Sequence, residues 1–124
     1  YAIDVQTGTG DDCSLTINGG VIESKTYRAI RGFCNSQTLS VNITVTGGTI
    51  RSLNNNAIWL QNGMHSYADL ASLTISGGTI ISGGTYEGNE RTPLRIDSEN
   101  GLTKSISGGQ FIQNEKDVTS SYKN

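Results

Sequence analysis

The sequence predicts an all-β chain wound as a parallel solenoid, and three observations predict it. One phrase recurs four times: LTINGGVI from Leu15, ITVTGGTI from Ile43, LTISGGTI from Leu73 and, more loosely, KSISGGQF from Lys104. Its paired glycines fall at Gly19-Gly20, Gly47-Gly48, Gly77-Gly78 and Gly108-Gly109, so successive first glycines stand 28, 30 and 31 residues apart. Repeats of that length are stacked supersecondary units, each too small to bury its apolar side alone. Within each phrase apolar and polar residues alternate with period two, the signal of a strand with one buried face. The Gly-Gly pair supplies a turn, because glycine adopts positive φ without steric cost.

Aligning the phrases assigns each element in order. The first strand carries inward columns of Cys13/Val41/Ala71/Leu102, Leu15/Ile43/Leu73/Lys104 and Ile17/Val45/Ile75/Ile106. The residues between them point outward and are small and polar: Ser14/Asn42/Ser72/Thr103, Thr16/Thr44/Thr74/Ser105 and Asn18/Thr46/Ser76/Ser107. A second strand follows each glycine pair, anchored by Ile22/Ile50/Ile80/Phe111. A third is visible as AIDVQ at Ala2, YRAIRGF at Tyr27, NAIWLQ at Asn56 and TPLRID at Thr92, with Ile3/Ile30/Ile58/Leu94 and Val5/Gly32/Leu60/Ile96 facing inward. Pro93, the single proline, opens a strand, where a missing N–H is tolerated. Three short strands per turn over about four turns describe a parallel β-helix. The segment SGGTYEGNER from Ser82 is an insertion, and insertions in solenoids map to loops on one face. Lys104 in an inward column marks the fourth turn as partly solvated.

Bulk properties exclude several classes. Nine basic and eleven acidic residues leave a net charge of −2. No basic face is available for a phosphate backbone, so no nucleic-acid partner is expected. No apolar run approaches the ~18 residues of a membrane span. With one histidine, His65, and two cysteines, the zinc ligand sets of four side chains cannot be assembled, and no metal or cofactor is expected. His65 reads as an ordinary surface histidine. Cys13 and Cys34 fit a disulfide of an oxidising compartment, and equally fit two buried or idle thiols. AIDVQTG at the start matches a third strand and SSYKN stops about where another should begin. Residues 1–124 are therefore expected to be a single β-helix domain excerpted from a longer solenoid, able to self-associate through its matching ends.

The LTISGG and NAIWLQNG phrases resemble the right-handed parallel β-helix repeats of secreted and cell-surface bacterial proteins, the pectin-lyase-like type. The resemblance covers nearly the whole chain and implies architecture. Proteins of this fold include polysaccharide lyases, glycoside hydrolases, tailspikes, adhesins and carbohydrate-binding modules, so the fold does not choose among functions.

The candidate site lies on the outer face of the third strands. Register puts Asp4, Arg31, Trp59 and Arg95 in one outward column, and Gln6, Phe33, Gln61 and Asp97 in the next. Adjacent turns are ~4.8 Å apart, so Trp59 is expected to be flanked by the Arg31 and Arg95 guanidinium groups. An aromatic ring beside arginines suits a sugar bearing a carboxylate: the indole stacks on the ring and an arginine grips the acid. A bland alternative makes Trp59 a packing residue with cation-π neighbours.

Three other features carry alternatives. The flat polar face of Thr16, Thr44, Thr46, Thr74, Ser76 and Ser105 has the look of an ice-binding array, although threonine is also a good solvent-facing strand residue. An enzyme would draw on Glu87, Glu90, Arg91, Arg95, Asp97 and Glu99, as paired carboxyls for hydrolysis or as acids with calcium and a basic residue for a lyase. No repeated acidic column is present to hold an ion. Asn42-Ile43-Thr44 is formally a glycosylation sequon, and a glycan there would cover the first sheet. The function taken forward is a non-enzymatic, extracellular β-helix module, a stalk or adhesin segment whose partner is a glycan or a host surface protein. A fragment of a polysaccharide-degrading enzyme and a self-assembling structural module are the alternatives.

Overall fold

A computed structural model describes residues 1–7, 11–34, 38–62, 71–97, 99 and 102–122. The chain passes in turn through three sheets. The first sheet stacks β2 (Cys13–Ile17), β5 (Val41–Val45), β8 (Ala71–Ile75) and β13 (Thr103–Ile106). The second stacks β3 (Val21–Ser24), β6 (Thr49–Ser52), β9 (Thr79–Ser82) and β14 (Gln110–Gln113). The third stacks β1 (Ile3–Gln6), β4 (Ile30–Cys34), β7 (Ile58–Asn62) and β12 (Leu94–Ile96). Every pairing within these stacks is parallel. The four repeats are the four layers, and from the first layer to the last the chain completes about three turns of a β-solenoid.

The register is the one the repeats predict. Leu15 pairs with Ile43, Ile43 with Leu73, and Ile17 with Val45, while Ile22, Ile50, Ile80 and Phe111 align across the second sheet. Side chains alternate across a strand, so this alignment delivers one unbroken aliphatic core. Ile30, Ile43, Ile50, Ile58, Leu73, Ile75, Ile80 and Phe111 are fully buried within it. Gly32 is the inward residue whose missing side chain matters: a Cβ there would stand 2.8 Å from Leu60 Cδ2 and 3.0 Å from Ile43 Cδ1. Lys104, aligned with Leu73, is exposed and reaches Glu99 at 2.7 Å.

A column of serines, Ser24, Ser52 and Ser82, ends the first three of the second strands. Ser52 Oγ donates to Tyr27 O at 2.6 Å and Ser82 Oγ to Arg91 O at 2.8 Å, while Ser24 Oγ accepts from Tyr27 N at 3.2 Å. Ser52 and Ser82 are buried, and these bonds supply the partners that buried hydroxyls need.

β15 (Lys116–Asp117) pairs antiparallel with β14 through Asn114 and Glu115, a two-residue turn with both φ positive at 46° and 68°. A single 3-10 turn (Thr119–Ser121) then brings Tyr122 onto Phe111, ring centroids 4.7 Å apart. One expectation is corrected: Cys13 and Cys34 are not joined in a disulfide. They lie on different sheets, opposite Val41 and Asn62, and their thiols turn to separate backbone carbonyls, Cys13 to Gln6 O and Cys34 to Leu39 O.

Candidate functional site

The insertion after Ser82 builds a wall beside the third sheet. β10 (Thr85–Tyr86) and β11 (Asn89–Glu90) form a hairpin closed by Glu87 and Gly88, whose φ values of 50° and 82° match the left-handed pair that a two-residue hairpin turn requires. Asn114 fastens its base, accepting from Gly84 N at 2.9 Å and donating to Gly84 O at 3.1 Å. Glu90 fastens its flank, taking Lys116 at 2.7 Å. That ammonium, with Gln113 beside it, holds the Glu90 carboxyl below the usual carboxylate range.

Between this hairpin and the third sheet lies a cleft of about 570 Å³, lined by Arg28, Asn56, Tyr86, Glu90, Arg91, Arg95 and their neighbours Asn89 and Thr92. Arg28, Asn56 and Thr92 form a column of their own. They stand two residues before the aligned Ile30, Ile58 and Leu94, so the corner between second and third strands repeats as faithfully as the strands do. Asn56 Nδ2 donates to Thr92 O at 2.7 Å and to Thr92 Oγ1 at 3.2 Å, and its Oδ1 accepts Arg28 Nε at 3.4 Å. Arg28 is only 9% exposed and has no ion pair among the described residues. Burial, reinforced by repulsion from Arg95 and Arg91, lowers its affinity for a proton. Arg91 lies over the Tyr86 ring at 4.6 Å, and its buried Nε has no hydrogen-bond partner.

The residues expected to form the site divide into two groups. Trp59 pairs with Arg31 on one side and Arg95 on the other, as the register requires. Its indole is not an open platform, being only 8% exposed. Arg28 and Arg95 lie over the ring at 4.3 and 4.9 Å, Tyr1 packs 6.4 Å away, and Nε1 donates to Asp97 Oδ1 at 2.9 Å. Arg28, not Arg31, is thus the second guanidinium on the indole. Arg95 Nε also reaches Asp97 Oδ1, at 3.1 Å, so Trp59, Arg95 and Asp97 form one unit bordering the cleft.

Arg31 turns the other way. It grips Asp4 with two hydrogen bonds of 2.9 and 2.8 Å and donates to Gln61 Oε1 at 3.0 Å, with Phe33 beneath it at 5.1 Å and Tyr1 at 4.9 Å. The two-pronged grip holds the Asp4 carboxyl below its usual range and raises the Arg31 proton affinity. Arg31, Phe33 and Gln61 therefore make a ladder that satisfies itself.

The polar face of the first sheet keeps its predicted register, Thr16 with Thr44, Thr44 with Thr74, and Thr74 with Ser105. Thr46 donates to Asn18 at 2.6 Å and Ser72 to Asn42 at 2.6 Å, so rungs are laced to one another by side chains. Ser76 is exposed beyond β8. Glu99 is committed to Lys104, and Glu87 is exposed at the hairpin tip. Among the described residues no group of three His, Cys, Asp or Glu side chains converges to hold a metal, and no helix is long and apolar enough to cross a membrane. His65 lies outside the described residues. Compared with protein-family models, curated proteins and solved structures, the chain matches none.

Sequence reasoning placed Trp59, Arg95 and Asp97 together and missed Arg28, Asn56, Thr92 and Tyr86. The first three were open to the same alignment, carried two residues upstream of each third strand. Tyr86 carried no such signal, because the hairpin that positions it occurs in one turn only.

Proposed function

We propose that the chain is a non-enzymatic recognition module of a secreted or cell-surface protein. In this reading it is a β-helix of the right-handed, pectin-lyase-like type that binds an acidic glycan or a host protein through the lateral face of its third sheet. The observation that carries the reading is the convergence of three guanidinium groups, Arg28, Arg91 and Arg95, on one cleft in a chain of net charge −2. A lateral cleft lined by three arginines, on a scaffold stiffened by stacked aliphatic columns, suits capture of an extended anionic surface better than enclosure of a small molecule. The carboxylates near it favour binding over catalysis. Sugar hydrolysis needs one carboxyl kept protonated by its surroundings, whereas Glu90 is pushed the opposite way by Lys116 and Asp97 is engaged by Trp59 and Arg95.

The test is binding of the purified protein to an array of acidic and neutral glycans, mucin and extracellular-matrix proteins, with Arg95→Gln run in parallel. Retention of an acidic ligand, weakened in the variant, is expected. Silence across the whole array would remove the recognition reading.

A further inference from the structure

The cleft carries more positive charge than its own cohesion uses. Arg95 has Asp97 as a counter-ion, but Arg28 and Arg91 have no ion pair among the described residues. Glu90, the one carboxylate in the lining, is held by Lys116. A guanidinium nine-tenths buried without a direct ion pair is unfavourable; the Trp59 ring, the Asn56 amide and the more distant Asp97, already shared with Arg95, offset its charge only in part.

The geometry turns that charge outward. Asn56 has both ends of its amide occupied, by Thr92 and by Arg28 Nε, so Arg28 is oriented through its Nε where it lines the cleft. Arg91 adds a buried Nε with no partner. At the mouth Tyr86 is 58% exposed, and it stays fixed because the hairpin is tied down by Asn114 and Lys116.

We infer that the space between Arg28 and Arg91 is an oxyanion site for the carboxylate or sulfate of an acidic saccharide, with Arg95 at its rim and the exposed Tyr86, whose ring also carries the Arg91 guanidinium, as the aromatic surface that meets the sugar ring. The inference rests on the recognition reading above and narrows it to one ligand chemistry and one pocket. Guanidinium forks match the two oxygens of such a group, and an exposed tyrosine beside them matches the apolar face of a pyranose.

The chain contains a single tryptophan, and it lies under Arg28 and Arg95, so Trp59 emission is a native reporter of the pocket. The protein is titrated with oligogalacturonate, a sulfated oligosaccharide, their methyl-esterified or desulfated counterparts, and sodium sulfate alone. A saturable change with an acidic saccharide and none with its neutral counterpart is expected. Losing one charge-assisted hydrogen-bonding group should weaken binding about tenfold to a hundredfold in Arg91→Gln and in Arg28→Gln. Arg51→Gln, on the second sheet and paired with Glu23, should leave it within about twofold. Arg91→Gln decides the matter if Arg28→Gln does not fold. Acidic saccharide bound equally well by both variants would overturn this pocket while leaving the recognition reading intact. Sulfate alone saturating at the same concentration would overturn the saccharide assignment. No response to any acidic saccharide would overturn the inference, and the recognition reading would then stand or fall on the array.

Discussion

Replacing Gly77 by alanine should destabilise the solenoid at a point of close stacking, while the same change at Gly19 should not. The two residues occupy the same place in the first and third repeats and differ in what lies on the neighbouring layer. An added Cβ at Gly77 would stand 2.2 Å from Thr46 O and 3.0 Å from Thr46 C, whereas one at Gly19 meets nothing within 4 Å. The obstacle is backbone held in a parallel stack and has no rotamer to escape into, so relief requires separating two layers by about 1 Å where sheet hydrogen bonds fix the spacing. Overpacking of that kind costs typically 1–3 kcal/mol, and contact with backbone places Gly77→Ala at about 3 kcal/mol. Gly19→Ala meets no clash and restricts the unfolded chain, which stabilises by roughly 0.4–1 kcal/mol. With a urea slope of about 2 kcal/mol/M, the midpoints of the two variants should differ by roughly 1.5–2 M. Urea unfolding followed by Trp59 emission and by far-ultraviolet circular dichroism measures the difference. Equal midpoints, within about 0.2 M, would show that the glycine pairs serve the turn alone and that the close approach between layers is not a constraint.

Three further outcomes follow from the same geometry. Arg31 depresses the Asp4 carboxyl, so native protein binds fewer protons there than unfolded chain; the pair's contribution is full above about pH 4, where unfolded aspartate is ionised, and is lost as pH falls through the lowered folded value. Asp4→Asn should lower stability at pH 7 by about 0.5–1 kcal/mol and flatten its acid dependence below pH 4, and superimposable stability curves from pH 6 to pH 2 would contradict the pairing. Thiol titration of denatured, unreduced protein should find both Cys13 and Cys34 reactive, and a mass two hydrogens short with no titratable thiol would restore the disulfide. Phe111→Ala should cost about 3–5 kcal/mol, since Phe111 is fully buried under Tyr122, and a loss below about 1 kcal/mol by urea unfolding would show that the last layer is not packed as described.

Much of the site was legible only in pieces. Alignment of the third strands put Trp59 between Arg31 and Arg95, and the structure keeps that register. It did not tell that Arg31 would turn to Asp4 and Gln61 while Arg28 took its place over the indole, because an arginine reaches past its nearest rung and settles wherever a carboxylate or ring is free. The buried serines Ser52 and Ser82 were equally legible, as the shared last residue of TIRS and TIIS, and were passed over because serine reads as a surface residue.

The sequence by itself determined the winding: strand alternation, the glycine pairs and the repeat length leave one register in which the inward columns are largely aliphatic, interrupted at Gly32 and at Lys104 in the last layer. A slip of one residue would turn each column to solvent, so local pattern and global fold enforce each other. Only the tertiary structure decided what the surface does. Strand periodicity says which side of a sheet a residue faces, but not where a long charged side chain ends. The non-repeating parts, the hairpin carrying Tyr86 and Arg91 and the antiparallel closure at β15, have no second copy in the chain to align against. The cleft lies where a repeated corner, Arg28 with Asn56 and Thr92, meets that unrepeated hairpin, and such a meeting is set by packing in three dimensions.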